Sequence, residues 1–184
     1  MKNIGTKTLI HENFVLRKFR LGDEYDMFKN YCNDEKVTEY ITWDSHKNIE
    51  LTKELLTSWV AEYNDMKYKW AIEIDNEIVG SIDLVNQDSD KKVGEIGYCL
   101  GSNFWNKKIM TNALNLMMDY LFNEVGFEKL SARHLVKNLN SGKVMINNNM
   151  KYIKTNKILL PPLENLHLIK TYELKKNDFV KFSH

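Results

Sequence analysis

One stretch, from Glu95 to Phe122, limits what this chain can fold into more than any other. It begins with a strand pattern from Glu95 to Leu100, continues through a polar, basic loop, and becomes helical near Ile109, where apolar side chains recur at intervals of three and four residues. Such a helix has one apolar face that must pack on a sheet. Loops of this kind often bind phosphates in α/β proteins, because the first helical N–H groups lack partners. An ordinary connection with solvated lysines is the alternative.

The composition indicates one domain spanning residues 1–184. The 26 basic and 25 acidic residues nearly balance, so no overall field attracts nucleic acid or an anionic membrane. Cys32 and Cys99 are far apart and fit two reduced thiols, and the five histidines lack metal-ligand spacing. We find no signal peptide or membrane-spanning pattern. We therefore expect a cytoplasmic protein without a metal, nucleic-acid or membrane partner.

The remaining pattern predicts elements in the order β, α, α, β, β, β, α, β, α, β, β. A hairpin has its second arm at 14–19, Gly126 ends the central helix, and a short helix ending at Asn148 begins at Asn140 or Ser141. The other predicted helices span 21–33 and 49–65, and the other strands span 68–74, 77–85, 93–100, 129–136, 150–155 and 166–174.

Several large side chains allow two interpretations. Tyr40, Trp43 and His46 lie in a segment without sustained periodicity, where they either close the edge of the core or line a cleft. Trp59 and Tyr63 fit either an apolar cleft or a core. Met118 and Phe122 widen the apolar face of the central helix. This width indicates either deeper burial or a dimer contact, so both a monomer and a homodimer are compatible with the sequence.

This order of elements resembles the GCN5-related N-acetyltransferase (GNAT) family, and the residues resemble its RimJ/RimL-type branch. The similarity runs from about Thr8 to Asp178 and is carried by separated pieces: VTEYITWDSHKNIE, WAIEIDNEIVGSIDL, EIGYCLGSNFW, NLNS, NNNMKYIKT and YELKKNDF. It implies an α/β (α+β) fold with a mixed, mostly antiparallel, twisted sheet of about seven strands and about four helices. The sheet is expected to splay between the fourth and fifth strands.

The resemblance implies direct transfer of the acetyl group of acetyl-CoA to a primary amine, either a protein N-terminal α-amine or a small molecule. Pantetheine would bond to a bulged strand at Glu95 to Leu100, and a backbone N–H near Cys99 or Leu100 would stabilise the oxyanion. The phosphates would lie at the following loop and helix start. The residues implied there are Trp105, Lys107, Lys108, Ile109, Met110 and Thr111.

This loop departs from the family pattern of a tryptophan followed by a glycine, a basic residue and a second glycine. The aligned run is Trp105 to Met110, in which both glycines are absent and Met110 replaces a small residue. A non-glycine residue in the left-handed region costs about 1 to 2 kcal/mol. The loop must therefore absorb that cost or take another shape, and the two lysines could compensate with charge.

A second implied site is the NxxS pattern formed by Asn138 and Ser141. By resemblance, Asn138 contacts pantetheine and Ser141 protonates the departing thiolate, although simple capping of the helix by Asn140 or Ser141 is an alternative. Asn149 stands where the family usually has glycine, and asparagine tolerates a left-handed helix end.

The general base is the weakest point of the resemblance, because the glutamate of many relatives aligns with Ile153 and the glycine after it with Lys154. Glu95 could deprotonate the amine through water, or it could form a surface ion pair. Tyr98 and Tyr152 are spare acids or packing residues. The acceptor would bind near Trp43, His46, Tyr98 and the loop holding Pro161 and Pro162.

Two functional hypotheses follow. The first is the acetyltransferase, and the second is a non-catalytic acyl-CoA-binding or interaction module that kept the fold and lost the chemistry. A protein that binds another nucleotide is a remoter alternative, and the chain has neither GxGxxG nor GxxxxGKS.

Overall fold

A single sheet of eight strands organises the computed structural model, which describes residues 1–41, 43–159 and 166–182. The strand order is β1-β2-β3-β4-β5-β6-β8-β7, and every neighbouring pair is antiparallel except β5 and β6, which are parallel. The strands are β1 (Leu9–His11), β2 (Phe14–Arg17), β3 (Lys69–Ile74), β4 (Glu77–Asp88), β5 (Val93–Leu100), β6 (Lys129–Leu135), β7 (Lys151–Leu159) and β8 (Leu166–Lys175).

Five α-helices accompany the sheet in the described ranges. They are α1 (Glu24–Met27), α2 (Glu35–Thr38), α3 (Ile49–Ala61), α4 (Ile109–Asp119) and α5 (Leu139–Asn147). A π-helical turn extends α1 through Cys32, and another extends α4 through Val125. Gly126 then takes a left-handed conformation with φ of 97°, which confirms the predicted end of the central helix.

The predicted elements all occur, with differences at their ends. The helix predicted over 21–33 is one α-helical turn followed by a π-helical turn, and α3 ends at Ala61 rather than near residue 65. Strand β4 continues to Asp88, because β5 pairs with it as far as Val93. The count of eight strands instead of seven arises because both arms of the first hairpin belong to the sheet.

The apolar residues form two clusters, and the larger contains the buried face of α4 together with the sheet side chains that contact it. Met118 and Phe122 are fully buried there, so deeper burial accounts for the wide apolar face of this helix. The second cluster joins α1, α3 and β3, and Trp43, Trp59 and Tyr63 pack against it. The core interpretation therefore holds for these three aromatic residues.

The sheet is splayed between β5 and β6, which confirms the expected opening. The parallel pairing joins only Val93–Ile96 to Lys129–Ala132. From Gly97 onward β5 is paired with β4 alone, so one backbone edge of β5 is free. The bulge expected in β5 lies in β4 instead, where the register shifts between Leu84 and Asn86.

Candidate active site

The splay opens into a cavity of about 250 Å³ enclosed by the end of β5, the loop after it, the start of α4 and the start of α5. Ten of its lining residues were candidate catalytic, cofactor-binding or acceptor-binding residues, namely Tyr98, Cys99, Leu100, Trp105, Lys108, Ile109, Met110, Thr111, Asn138 and Ser141. The strand, the loop and the two helices thus bring the candidate residues of both implied sites to one place.

The loop before α4 keeps a left-handed backbone although it lacks glycine. Asn106 and Lys108 occupy the two glycine positions of the family pattern, and their φ angles are 61° and 59°. The loop is held by Trp105, whose indole Nε1 donates to the carbonyl oxygen of Leu100 at 2.7 Å. It is also held by Met110, which is 6% exposed. The loop therefore absorbs the conformational cost rather than taking another shape.

The start of α4 presents unpaired backbone donors to the cavity. Lys108 is the N-cap residue, and the first helical hydrogen bond runs from Asn112 N to Lys108 O at 3.0 Å. The N–H groups of Ile109, Met110 and Thr111 precede that bond and lie at the positive end of the helix dipole. A polyphosphate fits this arrangement of donors.

Tyr98 and Ser141 meet on the opposite wall. The Tyr98 hydroxyl lies 3.0 Å from Ser141 Oγ and donates to the Ser141 carbonyl oxygen at 2.9 Å. Burial raises the pKa of Tyr98 well above its ordinary value, although the bond to Ser141 opposes that effect. Both hydroxyls therefore carry their protons at neutral pH.

The cap of α5 differs from the prediction. Asn138, rather than Asn140 or Ser141, is the N-cap residue, and its Oδ1 accepts from Ser141 N at 3.1 Å. The capping alternative for Ser141 is therefore wrong, and its hydroxyl is left to contact Tyr98. At the other end of the helix, Asn149 has φ of 60°, as its replacement of a glycine predicted.

Cys99 lines the cavity but is not a ready nucleophile. Its Sγ lies 3.3 Å from Ser81 Oγ, and burial raises the pKa of the thiol to about 11, with the bonds from Ser81 opposing the rise. The thiol therefore stays protonated at neutral pH, whereas the thiolate is the form that reacts as a nucleophile.

Glu95 and Lys107 do not line the cavity. Glu95 Oε1 lies 2.6 Å from Arg133 Nε, which is the ion pair considered as its alternative role. Lys107 directs its ammonium group over the ring of Phe104, with Nζ 5.4 Å from the ring centre. Of the two loop lysines, Lys108 is therefore the one that lines the cavity.

Trp43 and His46 also lie outside the cavity lining. Their rings pack on each other with centroids 5.4 Å apart. His46 Nδ1 is 2.7 Å from Thr52 Oγ1, and burial lowers the pKa of this histidine. The expected Pro161–Pro162 loop lies outside the described residues. Tyr152 is on the outer strand β7, where its hydroxyl contacts Thr155.

The sequence analysis did not identify several residues of the wall. One group, at and after α2, consists of side chains from a segment without periodicity, brought to the cavity by Asp34, whose carboxylate accepts from Lys36 N and Ser102 N. A second group lies on α5, on the face that follows Ser141. The wall residues of the two groups that were not named from the sequence are Val37, Ile41, Lys143, Val144 and Asn147. They lie beside Tyr40, which was considered as a cleft residue, and Asn140, which was considered as a helix cap.

Comparison with known proteins assigns this chain to a family. The model of the acetyltransferase (GNAT) domain matches residues 13–151. The chain belongs to this family of acetyltransferases, as its resemblance predicted. The N-acetyltransferase p20 of Bacillus licheniformis, which is uncharacterised, is 25% identical over 142 residues, covering 76% of this chain and 79% of p20.

Solved structures share the fold. A GNAT-family acetyltransferase from Bacillus anthracis has a TM-score of 0.81 at 20% identity, covering 93% of this chain and 99% of that one. The ribosomal L7/L12 α-N-protein acetyltransferase RimL has a TM-score of 0.79 at 16% identity, with 92% and 94% covered. The microcin C7 self-immunity acetyltransferase MccE, solved with acetyl-CoA and AMP, has a TM-score of 0.78 at 19% identity, with 90% and 93% covered.

In the described ranges, no helix is both long and apolar enough to cross a membrane. Within the same ranges, no three His, Cys, Asp or Glu side chains are grouped so that they could hold a metal ion.

Proposed function

We propose that this acetyltransferase uses acetyl-CoA and transfers its acetyl group directly to a primary amine. The observation that carries the proposal is one cavity that joins the free edge of β5, the unpaired donors at the start of α4, and the Tyr98–Ser141 pair. The acetyl-CoA bound in MccE supports the same ligand for this fold. The residues present therefore fit a long ligand with amides at one end and phosphates at the other.

The free edge of β5 would bind the pantetheine amides as an added strand. The N–H groups of Ile109, Met110 and Thr111 would bind the pyrophosphate, and Lys108 would add a positive charge beside it. Asn138 would face the arm from the other wall, because it lines the cavity while its Oδ1 caps α5. A backbone N–H of Cys99 or Leu100 would stabilise the oxyanion of the tetrahedral intermediate.

The chemistry requires one proton donor, which the Tyr98–Ser141 pair supplies. A neutral amine attacks the thioester carbonyl, a C–N bond forms, and the C–S bond breaks as the intermediate collapses. Ser141 gives its proton to the departing sulfur. The Tyr98 hydroxyl then turns from the Ser141 carbonyl oxygen to Oγ, passes its proton to Oγ, and takes up the proton lost by the nitrogen. The products are an amide and free CoA thiol. Glu95 has no part in this scheme, because Arg133 holds its carboxylate.

The acceptor is proposed to be either a protein N-terminal α-amine or a small amine. Val37, Tyr40 and Ile41 would form the wall next to it. An assay of CoA thiol release tests the proposal, with acetyl-CoA mixed with peptides that have free N-termini, the same peptides with blocked N-termini, and a set of small amines. We expect release with at least one free-amine set and only background release with blocked peptides that lack lysine.

A second candidate, the non-catalytic acyl-CoA-binding module, is favoured by the replacement of both loop glycines. It predicts tight acetyl-CoA binding with thiol release that equals the Ser141→Ala background in every acceptor set. Release above that background in any set contradicts it.

A further inference from the structure

His134 lies directly behind the proposed site and has no role in the scheme above. It belongs to β6 and is 7% exposed. Its ring stacks on Tyr172 of β8, with centroids 5.6 Å apart and planes 29° apart. The surroundings of a buried histidine decide its protonation state, because one nitrogen of the neutral ring donates a hydrogen bond and the other accepts one.

The contacts of His134 define one protonation state. Nδ1 is 2.7 Å from the carbonyl oxygen of Leu135. Because a carbonyl oxygen only accepts, Nδ1 carries a hydrogen and the neutral ring has a lone pair at Nε2. Nε2 is buried and has no hydrogen-bond partner in the part of the chain that the structure describes. The neutral Nδ1–H tautomer is therefore the form that fits.

The Nε2 edge of the ring rests on the first turn of α5. A Cβ atom added at Gly142 would lie 2.8 Å from His134 Nε2 and 2.9 Å from Cε1. Such distances are far inside van der Waals contact, so only glycine allows this approach. Gly142 directly follows Ser141. The ring therefore sets how closely the turn that carries the Ser141 hydroxyl approaches the sheet.

A chain of hydrogen bonds connects the same ring to the reacting hydroxyl. The Leu135 carbonyl oxygen that accepts from His134 also accepts from Asn138 N at 2.8 Å. Asn138 Oδ1 in turn accepts from Ser141 N, and Ser141 Oγ contacts the Tyr98 hydroxyl. Packing and hydrogen bonding from one histidine therefore converge on Ser141.

We propose that His134 is a positioning residue that orients Ser141 while its ring is neutral and releases the start of α5 when the ring is protonated. The inference rests on the proposed function, since it concerns the regulation of the same site by pH. Its consequence is an acid-sensitive step that belongs to the protein rather than to the acceptor amine.

The surroundings oppose protonation. Nε2 faces Gly142 and has no hydrogen-bond partner among the described residues, and Lys170 on β8 stands opposite His134 in register. Burial lowers the pKa of His134 and Lys170 lowers it further, although the backbone groups of Leu135 and Asn138 oppose them. Arg133 lies on the other face of β6 and is paired with Glu95. Tyr172 faces His134 only through the stacked ring.

The sign of the pH effect follows from this direction. The pKa of His134 is lower in the folded state than in the unfolded state, so the unfolded chain binds more protons at acidic pH. The contribution of the neutral ring is fully present above the ordinary histidine pKa of about 6.5 and is lost as the pH falls toward the lowered value.

The substitution His134→Asn tests the proposal, because the asparagine Nδ2 can replace the Nδ1–H donor and stays neutral at every pH. The quantity to measure is the ratio of wild-type to variant kcat from pH 8 to pH 5, which cancels the titration of acceptor and cofactor. We expect a ratio of about one at pH 8 that falls as the pH drops below the ordinary histidine pKa of about 6.5 toward pH 5. A ratio that stays flat overturns the proposal.

Two further variants separate the effect of the His134 hydrogen bond from the effect of side-chain size. His134→Leu keeps an apolar side chain of similar size without the donor, and we expect its kcat to fall about tenfold at pH 8 with recovery in His134→Asn. His167→Asn, at a histidine of β8 outside this contact, should keep the wild-type pH profile. Equal kcat for the leucine and asparagine variants at pH 8 would count against an orienting hydrogen bond.

NMR of the wild-type imidazole gives a reading that does not depend on activity or on variant folding. We expect the neutral Nδ1–H tautomer at pH 7 and a titration of the ring that the Ser141 amide resonance follows. Either the Nε2–H tautomer at pH 7 or a Ser141 amide resonance that does not shift as the ring titrates contradicts the proposal. A protein without any transfer activity would defeat the proposed function and leave this NMR result readable.

Discussion

The two ends of the cavity reach their shapes by opposite routes. At the loop from Trp105 to Thr111 the sequence departs from the family pattern, yet Asn106 and Lys108 still have left-handed backbones. At the turn from Asn138 to Ser141 the sequence keeps the pattern, and hydrogen bonds set the geometry. The loop thus holds its shape against side-chain preference, whereas the turn holds its shape through satisfied polar groups.

The loop can bear this cost because its neighbours anchor it. Left-handed lysine costs about 1 to 2 kcal/mol, whereas asparagine tolerates that region better. Ile109 and Met110, which follow Lys108, are 9% and 6% exposed, and burying a side chain of that kind contributes about 1.5 to 3 kcal/mol. Missing glycines therefore need not mean a missing phosphate site.

The largest effect is expected at the turn. Ser141→Ala should lower kcat about 100-fold, within the range of general acid catalysis, and leave the Kd for acetyl-CoA nearly unchanged. Steady-state kinetics and titration on the same preparation give both values. Ser131→Ala is the matched control, because Ser131 Oγ bonds to Gly94 O in the paired part of the sheet. An equal loss in both variants would reduce Ser141 to a structural residue.

A smaller effect is expected at the partner of that serine. Tyr98→Phe removes the contact to Ser141 Oγ and the bond to its carbonyl oxygen, while the ring remains. One hydrogen bond of about 1.4 kcal/mol corresponds to a tenfold change in rate, so kcat should fall about tenfold. Rapid-quench measurement of the transfer step checks this value. Undiminished transfer would mean that Ser141 recovers its proton without Tyr98.

The smallest effect is expected at the loop, where the substitution should increase stability rather than reduce activity. Lys108→Gly should raise the free energy of unfolding by up to about 1 kcal/mol, because the relief of left-handed strain outweighs the flexibility of glycine. Asn106→Gly should gain less, since asparagine tolerates this region. Lys107→Gly is the control, because Lys107 does not have a positive φ, and it should lose stability. Urea unfolding measures all three, and a destabilised Lys108→Gly would show that the loop carries no strain there.

Much of the fold followed from periodicity and from residues that end elements. The strand β5 and the start of α4 were predicted where they occur, because an alternating pattern gives way to a helical one at Ile109 and nothing competes with it. Gly126 marked the end of the helix for a conformational reason. The first helix was harder, because Phe28 to Cys32 form a π-helical turn that no spacing rule indicates.

The site could be predicted only where a local sequence pattern marks its residues. Trp105, Ser141 and Asn138 were found because a pattern in the chain marks them, whereas Val37 and Ile41 reach the cavity through tertiary contacts of an aperiodic segment. The ion pair of Glu95 with a residue of another strand could not be read from spacing. The same holds for His134 and Gly142, whose contact depends on how α5 lies against the sheet.

Calorimetric titration with acetyl-CoA tests the central claim most directly, namely that a glycine-free loop still forms a phosphate site. The wild-type protein should bind with a micromolar Kd, about −8 kcal/mol, and a Lys107→Ala/Lys108→Ala double variant should bind at least tenfold more weakly. Single variants should assign most of the loss to Lys108, which lines the cavity. A folded wild-type protein without detectable binding would contradict the account and leave only the fold in place.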